Sequence, residues 1–270
     1  MDDSPRQTEG WVNPDPNATR GHYRTRGFTK FMSDVVSVFE LNFIPIMRQW
    51  YLIVLAAAAF PIPWFYVTKA IAPDDPAVVR RLLAGTLVFG VAFSIGMLVG
   101  QNAVAQRFMG YLKLLITMPV SKGAYILGSL AYSSISGVIT VVMLLGFGVA
   151  AGVDISITWG LVPCLVLTVL TMAGLTIFVV SFAPTLQAGN ISASLLAIVL
   201  AALSPVYFTM EQAPLLLKAL GYISPLRYAA DGITKSLSGR TDVVVELAVL
   251  AGFALVCIAL GLWRLPWRED

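Results

Sequence analysis

Charge is scarce in this chain. Asp, Glu, Lys and Arg make up 12% of its 270 residues, against about 25% in a typical soluble domain. So few charges cannot cover a soluble surface of this size, and they cannot keep a chain disordered, so both classes are excluded. Histidine is nearly absent: His22 stands alone in the polar N-terminal stretch. The 2 cysteines, Cys164 and Cys257, lie inside apolar runs. That leaves no Cys/His cluster with metal-ligand spacing and no disulfide framework. The net charge of +3 is too small to imply a nucleic-acid partner. No G-x-x-x-x-G-K-[ST] occurs, so the chain has no loop of that kind to cradle nucleotide phosphates. No His/Asp/Glu cluster or Ser-His pair sits within the apolar runs, which argues against a membrane-embedded enzyme.

Apolar residues are what is abundant: 57% hydrophobic and a mean hydropathy of +0.79. A helix needs about 20 apolar residues to cross the hydrocarbon core. Uncharged runs predict six spans near 50–70, 82–105, 124–151, 158–182, 190–208 and 243–263. The charge-free run after Asp154 is too long for one span, so it must turn back at Ala183–Asn190, where Pro, Gly and polar groups gather. The runs are continuous rather than alternating, so a β-barrel is rejected. The predicted fold is an all-α polytopic membrane protein. Residues 1–27 are polar, rich in Pro, Gly and Arg, and read as a flexible tail rather than a signal peptide. Most of the 18 Lys and Arg fall on the side of the termini, which predicts both termini in the cytoplasm of a cell membrane.

Three segments are not plain spans. In residues 28–48, polar Lys30, Ser33, Asp34, Ser37 and Glu40 interleave with Phe28, Phe31, Met32, Val35, Val36 and Phe39 at helical spacing. This predicts an amphipathic helix, either an ordinary juxtamembrane helix or an elbow bracing the first span. Residues 106–122 are apolar yet cationic, suited to a short helix that meets a protein partner or rests on headgroups. Residues 204–242 are too apolar for a solvated loop and are broken by Pro205, Pro214 and Pro225. They predict an outer re-entrant helical hairpin between the fifth and sixth spans, at the mouth of a pathway. Within it, Pro205, Tyr207, Phe208, Glu211, Pro214, Pro225 and Tyr228 are the candidate gate residues. Glu211 and Glu246 are expected at the interface, and Lys69 is expected to snorkel.

With these segments placed, the chain resembles the permease subunit of a type-2 ABC transporter of the six-span, type V exporter class. That family's first cytoplasmic loop typically reads E-R-x-x-G-T-L-E-x-L-L-x-x-P-V-S. Here Arg107, Gly110, Leu112, Leu114, Leu115, Pro119, Val120 and Ser121 match, while Gln106 and Lys113 stand where the family usually has Glu. The outer motif is answered by residues 204–209, Pro214, Leu217, Pro225-Leu226 and Tyr228. The order of elements matches over roughly residues 28–264.

The resemblance implies that residues 106–121 dock into a separate nucleotide-binding subunit, two copies per complex. ATP and Mg would bind there, with no cofactor on this chain. It also implies a second six-span permease, identical or homologous. Small residues at four-residue spacing allow close helix approach: Gly96 and Gly100 in span two, and Ala193, Ala197 and Ala201 in span five, the latter expected at the dimer seam. Phe93, Met97, Met172, Phe178 and Phe182 are the expected substrate lining. The absence of a carboxylate at mid-depth argues against ion-coupled transport. The function expected is ATP-driven export of a lipophilic or amphipathic substrate such as an antibiotic, a lipid or a peptide. Export of a polysaccharide or glycolipid by the same architecture is the alternative.

Overall fold

The computed structural model describes residues 27–47, 51, 54, 55, 59, 61–73, 75–108, 120–203, 207 and 215–264. These form helices α1 (Phe28–Met47), α2 (Pro61–Ile71), α3 (Pro76–Ile95), α4 (Gln101–Phe108), α5 (Lys122–Ala150), α6 (Leu161–Val180), α7 (Leu186–Leu203), α8 (Leu215–Ile223), α9 (Pro225–Leu237) and α10 (Val244–Arg264). A π-helical turn, Gly96–Gly100, joins α3 to α4. Among the described residues there is no strand beyond an isolated bridge between Ser156 and Ser238. This is an all-α chain, and 4 of its helices are long and apolar enough to cross a membrane: Pro76–Gln106, Gly123–Ala150, Leu161–Val180 and Val244–Arg264. The expected break at Ala183–Asn190 overlaps the observed turn at residues 181–185, and α7 already begins at Leu186. Much of the expected first span lies outside the described residues.

Local chemistry sets several helix ends. Asp75 caps α3, its Oδ1 accepting from the Ala77 N–H at 2.8 Å, with Pro76 at the first helical position. Ser121 caps α5 by accepting from the Ala124 N–H at 3.2 Å. The carbonyls at the end of α9 are met by the loop between α5 and α6: the Ser156 N–H donates to Leu237 at 3.0 Å and the Thr158 N–H to Ser236 at 3.1 Å. Lys69 lies in the last turn of α2. Its Nζ donates to the Ala151 carbonyl at the end of α5, where a cation also complements the helix dipole.

The rod Pro76–Gln106 is the centre of the bundle. Along its most apolar window 83% of residues are buried, against 29% for Gly123–Ala150 and 28% for Val244–Arg264. α5, α6, α7 and α9 all pack on it. Its π-helical turn meets α7 through small residues. A Cβ on Gly96 would lie 2.8 Å from the Ala193 carbonyl oxygen, and one on Gly100 would overlap the Ala193 Cβ. Ala193 and Ala197 are therefore fully buried within the chain. This corrects the expected seam: the two small-residue faces serve each other, and the face α7 leaves exposed carries Ile191, Leu195, Ile198 and Val199. The side chain of Ala201 lies outside the described residues.

Gly100→Ala should lower stability by about 1–3 kcal/mol, the usual cost of overpacking. Ala193→Gly in the same chain should restore part of the loss, because it removes the methyl that collides. Thermal unfolding in detergent of the two single variants and the double variant measures this.

Candidate functional site

Two regions hold the residues expected to work. The first is the end of the rod. Gln106 is half-buried at the end of α4 and does not point to solvent. Its Nε2 donates to Asn42 Oδ1 of α1 at 2.9 Å, and its Oε1 accepts from the Tyr125 hydroxyl of α5 at 2.5 Å. Asn42 is itself buried and donates to the Val38 carbonyl at 2.7 Å. One amide thus ties three helices together, using its donor on one side and its acceptor on the other. α1 sits close enough for this because α5 offers Gly128 to it: a Cβ there would lie 2.8 Å from the Val35 carbonyl oxygen. Val120 packs against the main core, and Ser121 is spent as the cap of α5. Arg107 is in α4, its side chain outside the described residues. Gly110, Leu112, Lys113, Leu114, Leu115 and Pro119 also lie outside them.

The second region is α9. Pro225 begins it, and Leu226, Ala229, Ala230, Ile233 and Leu237 form a buried face against α3, α6 and α10. Its other face is ionic. Asp231 Oδ1 lies 2.5 Å from Nη1 of the buried Arg81 in α3, and Asp231 Oδ2 lies 3.4 Å from Arg227 Nε. The Arg227 guanidinium sits 4.8 Å from the Tyr222 ring centre and 5.0 Å from that of Tyr228. Lys235 Nζ meets Glu246 Oε1 of α10 at 2.8 Å and donates to the Asp242 carbonyl at 3.0 Å. Arg240 holds Asp242 at 2.7 Å. Hydrogen bonding to Glu246 raises the Lys235 pKa, so this contribution is complete at neutral pH and is lost only above the ordinary lysine range. The Arg240 hydrogen bond holds the Asp242 carboxyl below the usual range, so that pair persists until acid pH.

Glu246 corrects an expectation. It is buried, with 9% of its surface exposed, rather than interfacial. The cluster around it was missed because each charge read singly as a loop cation or anion. One signal was available: Arg227 and Asp231 stand at i,i+4 on one helix. Of the other gate residues, Tyr207 packs its ring 6.4 Å from that of Trp64. Tyr228 donates to the Tyr222 carbonyl at 3.3 Å and lies against Phe253. Pro205, Phe208, Glu211 and Pro214 are outside the described residues.

The expected lining residues are spread out. Phe93 lies against Phe89. Met97 accepts contacts from Gln101 and Ser194 at its sulfur, both at 3.3 Å. Met172 is fully buried in the core. Phe178 and Phe182 meet edge to face at 5.1 Å, with Phe182 exposed beneath the Arg264 guanidinium.

The sequence profile of the ABC-2 type transporter family matches residues 34–237. The chain belongs to that family. The match starts within α1, takes in the Asn42–Gln106–Tyr125 junction and the loop beyond it, and ends with α9. An ABC-2 permease is the membrane component of a transporter, not itself catalytic, and such permeases generally work with an ABC ATPase subunit. A comparison with curated proteins finds no match. The apolar helices make this permease a multi-pass membrane protein.

Two outcomes follow from the geometry. Asn42→Asp and Gln106→Glu should each lower stability, because the first loses the donor to the Val38 carbonyl and the second loses the donor to Asn42, but each single variant keeps one amide between positions 42 and 106. The double variant places two carboxylates face to face with no proton between them. It should lose at least about 1 kcal/mol beyond the sum of the singles, measured as a double-mutant cycle on unfolding. Asp231→Ala leaves the Arg81 and Arg227 guanidiniums beside each other without their shared carboxylate. It should cost about 2 kcal/mol, between the values for exposed and buried pairs, whereas the paired change Arg81→Met with Asp231→Leu should cost less.

Proposed function

We propose that this chain is the permease half of an ATP-driven exporter for lipophilic or amphipathic molecules. The observation that carries the reading is the junction at the start of the 106–121 motif. A loop that meets a motor must pass displacement to the spans, and here its first residue is fastened to α1 and α5 as well as to the central rod. Closure of the motor halves would then move these helices together as rigid bodies.

In this reading the chain has six spans, with the first completed by α2 and the fifth formed by α7. α1 is the elbow helix: it packs Val38 and Asn42 inward and leaves Phe28, Met32, Val36, Leu41 and Ile44 exposed, as suits a helix lying at the headgroups. α8 and α9 form the outer hairpin, with α9 held at the bundle end by the Asp231 and Glu246 pairs. Both termini are cytoplasmic in a cell membrane. Gly110, Leu112, Lys113, Leu114, Leu115 and Pro119 meet the nucleotide-binding subunit, which holds ATP and Mg and is present in two copies. A second permease, identical or homologous, completes the pathway along the exposed side of α7. The aliphatic character of the spans favours a lipophilic cargo, an antibiotic, lipid or peptide, over a polysaccharide.

Gly110→Asp and Pro119→Asp should each weaken recovery of the ATPase subunit on the tagged permease by about thirtyfold, a hot-spot loss. Membrane insertion and yield should be unchanged. Recovery of the ATPase at the parent level with either variant overturns the docking assignment.

A further inference from the structure

A cavity of about 220 Å³ at the α9 end of the bundle is lined by polar and charged residues alone, drawn from α3, α9, the turn after it and the start of α10. Helix length sets its depth in a bilayer. Pro76–Gln106 holds 31 residues, about 46 Å at the usual rise, against a hydrocarbon core of about 30 Å. The ends of this rod therefore reach past the core, and Arg81 stands in its second turn. Glu246 lies in the first turn of α10. The cavity sits at the level of lipid headgroups rather than of acyl chains.

The groups around it define what it takes. Ion pairs join Arg81, Arg227, Lys235 and Arg240 to Asp231, Asp242 and Glu246, 4 cations against 3 carboxylates. That excess opposes a bare cation. Yet the cavity also offers acceptors. The Ser238 hydroxyl donates to the Thr234 carbonyl at 2.8 Å and the Thr234 hydroxyl to the Ala230 carbonyl at 2.6 Å, so both oxygens turn lone pairs to a ligand. Glu246 gives Oε1 to Lys235, while its buried Oε2 has no hydrogen-bond partner among the described residues. A simple anion would worsen that unmet demand, whereas a donor relieves it. On the cationic side, Arg240 points two N–H donors at Asp242 and is otherwise exposed at the rim.

We infer that this cavity binds the phosphoethanolamine headgroup of a membrane lipid, its primary ammonium donating to the Glu246 carboxylate and the Ser238 hydroxyl and its phosphate meeting Arg240 and Lys235. A zwitterion answers both demands and leaves the net charge of the cluster unchanged. Choline does not fit. Its quaternary ammonium has no N–H to donate, and such groups are recognised by aromatic faces. Among the described residues no aromatic side chain lines the cavity, and the nearby Tyr222 and Tyr228 rings already face Arg227. The site goes beyond the export reading, since its occupancy needs neither cargo nor nucleotide.

The test measures lipid binding to the full chain in detergent by native mass spectrometry, using phosphatidylethanolamine and phosphatidylcholine with identical acyl chains. Phosphatidylethanolamine should bind about tenfold more tightly, the worth of one charge-assisted hydrogen bond. Glu246→Gln should erase that preference. Ser238→Ala should reduce it about threefold, and Arg240→Gln should weaken phosphatidylethanolamine binding by a similar factor. Thermal unfolding without added lipid separates lost binding from lost fold, and the two changes nearer the rim keep the test open if Glu246→Gln does not fold. Gly252→Leu, where nothing lies within 4 Å of an added Cβ, is the control and should change nothing. Equal affinity for the two lipids, or a preference unchanged in all three site variants, overturns the site. Soluble glycerophosphoethanolamine should compete about a hundredfold less well than the lipid, because it lacks the acyl chains. Competition at equal concentration places the ligand in water and overturns the lipid assignment.

Discussion

The burial of one helical rod governs this protein. Pro76–Gln106 is enclosed along most of its length, while the helices around it each keep a broad face outward. In a bilayer, lipid tails are as apolar as leucine, so hydrophobicity alone does not choose which helices touch. Close fit chooses, and the rod supplies it with small residues. Gly96 and Gly100 admit the Ala193–Ala197 face of α7, and the N-terminal half presents Leu83, Leu87 and Val91 to a continuous core.

On this support the two ends of the bundle are built by different chemistry. At the α9 end, charges do the joining: Arg81 and Glu246 are buried with partners on a short helix whose buried face is mostly apolar. Such pairs are costly to break singly, which makes α9 a firmly seated element. At the other end, a neutral amide joins three helices without charge. Hydrogen bonds of this kind hold orientation without the desolvation cost of ions.

Much of this was legible in the sequence. Charge-free runs gave the 4 helices long and apolar enough to cross a membrane, a run of Pro, Gly and polar residues gave the turn before α7, and the alternation in residues 28–48 gave α1. What escaped detection was which faces meet. The spacing of Ala193, Ala197 and Ala201 says only that something may approach closely there, and it cannot say whether the neighbour is in the same chain. Ser121 read as part of a docking motif, although a serine directly before an apolar helical run is also a cap signal. Gln106 read as a departure from a family pattern, and its role emerged only once Asn42 was seen beside it, 64 residues earlier in the chain. Such pairings depend on tertiary geometry that no local pattern encodes.

The π-helical turn between Gly96 and Gly100 has a mechanical meaning. A turn of this type accommodates one residue more than a regular α-helix does, so the rod beyond it is out of phase with the rod before it. Tightening that turn to ordinary α-helical winding would swivel residues 101–108 by about 100° about their own axis. The Gln106 side chain would then face away from Asn42 and Tyr125, while the half of the rod locked to α9 stayed where it is. The junction at one end and the winding at mid-rod therefore share a single rotational phase.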